Sequence, residues 1–202
     1  MSRTVLLTAF EPFDGALHNP SMTVMAQVAQ EWDRPERLHC EVLPVAYDRA
    51  GLQLMDVLQR IEPEIVVGIG LAARRERPSL ERLAVNLREA AIPDNDGHQP
   101  VDAPVIPGGP LALATSLPVR ASATRLREAG HDVELSMSAG TFVCNAVFYR
   151  AAAWAEIRPE RRAGFVHVPH DRLEDSVAAV RTVLEDALEK NGDLAVALGS
   201  TD

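Results

Sequence analysis

Apolar positions along this chain fall into two alternating patterns. Six short stretches are mostly apolar or alternate apolar with polar: TVLLTAF (4–10), LHCEVLPV (38–45), EIVVGIG (64–70), ERLAVN (81–86), DVELSMS (132–138) and GFVHVP (164–169). Near-continuous apolar runs of this length are the pattern of strands covered on both faces. Between them, apolar residues recur at helical spacing in MTVMAQVAQEW (22–32), YDRAGLQLMDVLQRI (47–61) and PVRASATRLREAG (118–130). The same holds for NAVFYRAAAWA (145–155) and RLEDSVAAVRTVLEDALEKNG (172–192). The punctuation agrees with these elements. Ser21 is a candidate N-cap after Asn19 and Pro20, Pro63 stops the second helix, Gly130 suits a left-handed C-cap, and Asn191-Gly192 closes the last helix.

Strands alternating with helices predict an α/β fold, a three-layer α/β/α sandwich with helices on both faces of a mostly parallel, twisted sheet. Residues 92–117, IPDNDGHQPVDAPVIPGGPLALATSL, break the alternation with Pro, Gly, Asp and Asn. So long a stretch with few structural signals marks an excursion at a functional site or an interface. No repeat or linker interrupts the chain, so residues 1–202 are expected to form a single domain, with a flexible tail after Gly192.

Composition narrows the class. The 202 residues are 47% hydrophobic and 24% charged, which suits a globular chain able to bury roughly 70% of its unfolded surface. A net charge of -9 argues against nucleic acid or anionic lipid as partner. The basic cluster AARRERPSLER is interleaved with Glu and reads as a solvated face. No window reaches the ~20 apolar residues of a membrane span, and the amino terminus lacks the apolar length of a signal peptide. A cytoplasmic protein is therefore expected. Two cysteines, Cys40 and Cys144, form no disulfide framework, which fits a reducing compartment. Without CxxC, HExxH or zinc-like spacing, no metal is expected.

Candidate chemistry centres on SAGTFVC (138–144), where a strand gives way to a helix. Unpaired backbone N–H groups and the helix dipole favour an anion on a first turn, so a thiol near ~8.5 can fall by a unit or more there. The N–H groups around Val143 and Cys144 also suit a developing oxyanion. A buried small hydrophobe is the commoner fate of a lone cysteine, and local pattern leaves both readings open. A nucleophile needs a base and an orienting group. His167, near the end of GFVHVP, is the candidate base, with His170 as a rival. Glu81, at the start of ERLAVN, is the candidate orienting carboxylate.

Five stretches taken together resemble the pyroglutamyl peptidase type I family, also called pyrrolidone-carboxylate peptidases: LLTAFEPFDG with NPS at 19–21, GLAARRERPSLERLAVN, IPDNDGHQP, SAGTFVCNAVFY and GFVHVP. The resemblance implies a cytosolic cysteine peptidase with a Glu81, Cys144, His167 triad, on a sandwich related to purine nucleoside phosphorylase. It implies removal of an amino-terminal pyroglutamyl residue from peptides, no cofactor or metal, and a homo-oligomer, a tetramer in bacteria. Carried over by position, Phe10, Phe13, Phe142 and Val143 would line the lactam pocket, with Asn19 and Ile92 near it and the backbone of Leu71 in contact. Aromatic walls suit a flat, uncharged lactam. The expected mechanism passes the Cys144 proton to His167, giving an ion pair steadied by Glu81, and proceeds through a thioester.

The chain departs from the family pattern at Leu71, where many relatives have Gln, at Ala91, where they carry Arg, and at Ala146, where they often have His. Arg74, Arg75 or Arg88 are candidates to replace the missing cation. Two other readings stand beside the peptidase: a non-catalytic, oligomeric pyroglutamate-binding protein, and a nucleoside phosphorylase-like enzyme, for which GIGLAARRE is a poor phosphate loop.

Overall fold

A computed structural model describes residues 3–189 and 192–195. In chain order its elements are β1 (Thr4–Phe10), α1 (Pro20–Gln30), β2 (Arg37–Leu43), α2 (Tyr47–Ile61), β3 (Ile65–Leu71), β4 (Ser79–Glu81), β5 (Leu83–Val85), β6 (Ala112–Ala114), α3 (Val119–Glu128), β7 (Glu134–Ser136), α4 (Val143–Glu156), β8 (Arg162–Val168) and α5 (Leu173–Leu188). Six strands form one sheet in the order β2-β1-β3-β8-β4-β7. The first four are mutually parallel, whereas β4 runs antiparallel to β8 and carries β7 parallel to itself. Strands β5 and β6 pair as a separate antiparallel ribbon.

The period of two along each strand divides the interior into two cores. Leu6, Phe10, Val66 and Phe165 pack with α2 and α4, while Val5, Leu7, Ile65, Val67, Ile69, Val166 and Val168 pack with α1, α3 and α5. This partition explains why β1, β3 and β8 read as unbroken apolar runs: both faces are covered. It also fixes the side of His167. Two residues beyond Phe165 on the same strand, it projects toward the α2 and α4 layer.

Three sequence expectations are revised. ERLAVN is not one strand: β4 ends at Glu81 and β5 begins at Leu83, in different sheets. The break is at Arg82, whose N–H donates to the Ser136 carbonyl while its own carbonyl accepts from Thr115. Asn19, rather than Ser21, caps α1: its side chain accepts from the Ser21 N–H and Pro20 occupies the first turn, where a missing N–H costs nothing. Strand β6 lies inside the excursion, where Pro and Gly hid it. That excursion is tied to its own chain. Buried Asp94 accepts from the N–H of Tyr47 at the start of α2, and Asn86 holds Ile106 through both its amide groups. The proposed closure of the last helix at Asn191 and the flexible tail lie outside the described residues, apart from Gly192 to Ala195.

Candidate active site

A cavity of about 260 Å³ opens at the carboxyl ends of β1, β3 and β8. Cys144 and His167 both line it. Wider clefts of about 560 and 650 Å³ lie along α1 and α5 but contain no cysteine. The smaller cavity is the one with the chemistry.

Each wall follows from the local fold. Phe10 ends β1, and the chain then bends through Glu11 and Pro12 to Phe13. The bend is held from two sides. Asn19 donates to the Glu11 carbonyl, and Asn95 donates to the Glu11 carboxylate and the Pro12 carbonyl. Phe13 meets Phe142 with ring centres 6.1 Å apart, and Phe142 meets Tyr47 edge-on at 5.6 Å. The Tyr47 hydroxyl donates to the Thr141 carbonyl, fixing the segment that leads into α4. Leu71 and Ala72 supply the opposite wall from the end of β3. Asn19 lines the cavity and is almost wholly buried.

Of the residues expected to form the pocket, Phe10, Phe13, Asn19, Leu71 and Phe142 come together around it. Val143 does not line it; its side chain is buried in the core on the α2 and α4 side of the sheet. Ile92 does not line it either and stays partly open to solvent. His170 is exposed and faces other clefts, so His167 is the imidazole at the cysteine. Cys40 packs in the other core.

Cys144 is the second residue of α4, whose N-cap Phe142 makes no side-chain capping bond. The helix start is anchored by Asn145, fully buried, which donates to the carbonyls of Val85 and Leu87 and accepts from the N–H of Val85. On the facing strand, His167 is 4% exposed, and its Nδ1 lies 2.7 Å from Oε1 of Glu81. Glu81 has no exposed surface. An ionised carboxylate can only accept, so Nδ1 carries the ring proton and Nε2 is left as the acceptor.

The same Oε1 receives a second donor, Nη1 of Arg75 at 2.5 Å, one of the three arginines offered as the replacement cation. Arg75 belongs to the basic cluster read as a solvated face, and it lines the cavity. Of the three arginines offered as replacements at position 91, Arg88 instead lies over the Tyr47 ring and pairs with Asp48. Arg74 is exposed.

The thiol departs from expectation. Burial pushes Cys144 up to about 12, and the Glu81 carboxylate adds to the rise; its own backbone N–H and Arg75 pull the other way. The first-turn effect is present in direction but desolvation outweighs it. On that balance the thiol is held toward its protonated form. Among the described residues, no group of His, Cys, Asp and Glu could hold a metal ion, and no helix is long and apolar enough to cross a membrane.

Comparison with known proteins gives a consistent family. The sequence pattern described as pyroglutamyl peptidase matches residues 3–199. The pyrrolidone-carboxylate peptidase of Clavibacter michiganensis subsp. michiganensis is 37% identical over 98% of this chain and 99% of its own. Among solved structures, pyrrolidone carboxyl peptidase from Thermococcus litoralis superposes with a TM-score of 0.89 at 34% identity, covering 97% of this chain and 100% of that one. Pyroglutamyl peptidase I from Bacillus amyloliquefaciens gives a TM-score of 0.90 at 30% identity, covering 98% and 100%.

Proposed function

The chain belongs to the pyroglutamyl peptidase family, and from that premise we propose how it removes amino-terminal pyroglutamate from peptides: Cys144 attacks, His167 moves the proton and Glu81 steadies the ring. The observation that carries these roles is the shared cavity of Cys144 and His167, with the imidazole fixed from behind by a buried carboxylate.

Burial holds the thiol toward its protonated form, so the step is written as base-assisted attack. As Sγ closes on the pyroglutamyl carbonyl carbon, its proton passes to Nε2 of His167 and the carbonyl oxygen takes the negative charge. Glu81 accepts from Nδ1–H throughout and offsets the imidazolium charge. Backbone N–H groups at the start of α4 are suited to the oxyanion. Collapse breaks the C–N bond, and the leaving amine takes the proton from Nε2. Water, deprotonated by the same nitrogen, then hydrolyses the thioester and restores the thiol.

The cavity's character supports the lactam substrate. At about 260 Å³ it is just below the ~300 Å³ where pockets for drug-sized ligands begin, as a single five-membered ring requires. Its walls include Phe10, Phe13 and Phe142. The nearby carboxylate, Glu81, is fully buried and already engaged, so an ordinary amino-terminal ammonium finds no counter-charge there.

A fluorogenic pyroglutamyl amide tests the assignment: the wild type cleaves it and Cys144→Ala does not. Pyroglutamate binding with no cleavage by either would favour the binding-protein alternative, and phosphate-dependent release of a base from a nucleoside would favour the phosphorylase. We extend the proposal to a cytoplasmic homotetramer, carried from the family resemblance. Light scattering of the purified protein checks it, and a monomer mass would reject it.

A further inference from the structure

We propose that Arg75 is a positioning residue for this reaction, keeping Glu81 ionised and aimed so that His167 can act as the base. The inference rests on the triad roles given above.

Glu81 is an expensive group to bury. It has no exposed surface, and both donors it receives fall on a single oxygen, Oε1: His167 Nδ1 at 2.7 Å and Arg75 Nη1 at 2.5 Å. Its Oε2 is buried and has no hydrogen-bond partner among the described residues. A carboxylate removed from water and served by one neutral donor takes up a proton instead of staying charged. A protonated Glu81 would no longer offset the imidazolium, and its hydroxyl would compete to donate. Among the described residues Arg75 is the one arginine or lysine in ion-pair distance of Glu81.

The guanidinium is itself held. Its Nη2 donates to Ser136 Oγ at 3.2 Å and to the Ser138 carbonyl at 3.0 Å, and the Arg75 backbone N–H donates to the Ala72 carbonyl. One planar fork therefore spans the end of β4, the end of β7 and the segment 138–142 that delivers Cys144 to its helix. Lysine brings the charge but not the fork. The charged or titratable groups facing Glu81 are Arg75 from the β3–β4 loop, His167 from β8 and Cys144 from α4, with Glu134 of β7 3.9 Å from the same Arg75 nitrogen. Without Arg75 the Glu81 carboxylate keeps only the hydrogen bond from His167 Nδ1.

The test compares wild type, Arg75→Gln, Arg75→Lys and Cys144→Ala on the fluorogenic pyroglutamyl amide, with thermal midpoints recorded for each. Arg75→Gln should lose at least about 10-fold in kcat, as expected when a base loses its orienting partner, with KM changed far less. The acid limb of kcat/KM should move to higher pH, because the buried Glu81 carboxylate then has no cationic partner. Arg75→Lys should recover part of kcat and bring the limb back. A kcat for Arg75→Gln close to wild type, or a loss in kcat with an unmoved acid limb, overturns the inference. Should Arg75→Gln not fold, Arg75→Lys decides it: wild-type kcat and an unmoved limb there reject the role of the fork. An active Cys144→Ala would instead sink the triad roles, whatever Arg75 does.

Discussion

The sulfur of Cys144 lies against Gly70: a Cβ on that glycine would stand 2.7 Å from Sγ and 2.9 Å from two ring atoms of Phe165. Gly70 pairs in register with His167, so the bare backbone of β3 at this point is what lets the nucleophile approach the strand that bears the base.

Gly70→Ala must displace either the sulfur or the Phe165 ring, both in packed surroundings. Overpacking of this kind costs about 1–3 kcal/mol. We expect a lower thermal midpoint and a loss of kcat larger than the loss of stability explains. An alanine variant with wild-type kcat would show that the sulfur has room elsewhere.

The raised thiol gives a prediction with two opposite readouts. With the folded value pushed up to about 12, alkylation of Cys144 in the free enzyme should keep climbing through neutral and alkaline pH, without the plateau near neutrality that a stored ion pair gives. Removing the Glu81 charge lowers the thiol value, so Glu81→Gln should be alkylated faster than wild type at pH 9 while cleaving substrate more slowly. Mass-spectrometric labelling at Cys144 and Cys40 checks the first half, and the fluorogenic assay the second.

The same shift has a consequence for stability. An unfolded thiol ionises near ~8.5, whereas the folded one holds its proton until about 12. Below the unfolded value both states are protonated and the contribution is complete; as pH rises through this window the unfolded state sheds its proton first and gains. The thermal midpoint should therefore fall between these pH values, and fall less in Cys144→Ala. Equal slopes for the two proteins would contradict the raised value.

Much of the fold is legible in the sequence. Tyr47–Ile61 matches the periodic stretch residue for residue, because its apolar stripe is buried against one layer, and Thr4–Phe10 matches because both faces of β1 are covered. What was hidden is non-local. ERLAVN keeps an unbroken local pattern, and its division at Arg82 depends on Ser136 and Thr115. The sequence offers Arg75 as one of three candidate cations and cannot choose among them, because Ser136 and Ser138, which hold its guanidinium against Glu81, lie over 60 residues away. The sequence shows the helix that the thiol starts but not the burial that raises it.

Asn19 joins the α1 cap to the pocket bend. Its Oδ1 accepts from the Ser21 N–H and hydroxyl, its Nδ2 donates to the Glu11 carbonyl, and Ser21 Oγ in turn accepts from the Phe10 N–H. Asn19→Ala removes a cap and leaves buried groups unpaired, a loss of about 1–3 kcal/mol. Freeing Glu11 also loosens Phe10 and Phe13, so KM should rise. Asn19→Asp keeps the capping oxygen but sets a buried carboxylate against the Glu11 carbonyl, and should be no more stable than Asn19→Ala.

Asn145 is the remaining test of how the nucleophile is held. Its side chain acts as an extra strand edge for β5, using its oxygen on the Val85 N–H and its nitrogen on the carbonyls of Val85 and Leu87. Because the residue is wholly buried and adjacent to Cys144, its loss strands three backbone groups of Val85 and Leu87 and unties the first turn of α4 from them. Asn145→Ala should cost about 1–3 kcal/mol and lower kcat together with stability. Asn145→Asp should be worse, since a buried carboxylate meets two carbonyl oxygens where a donor stood. Urea unfolding orders the three proteins. An aspartate variant as stable as wild type would mean that the amide does not anchor the helix start.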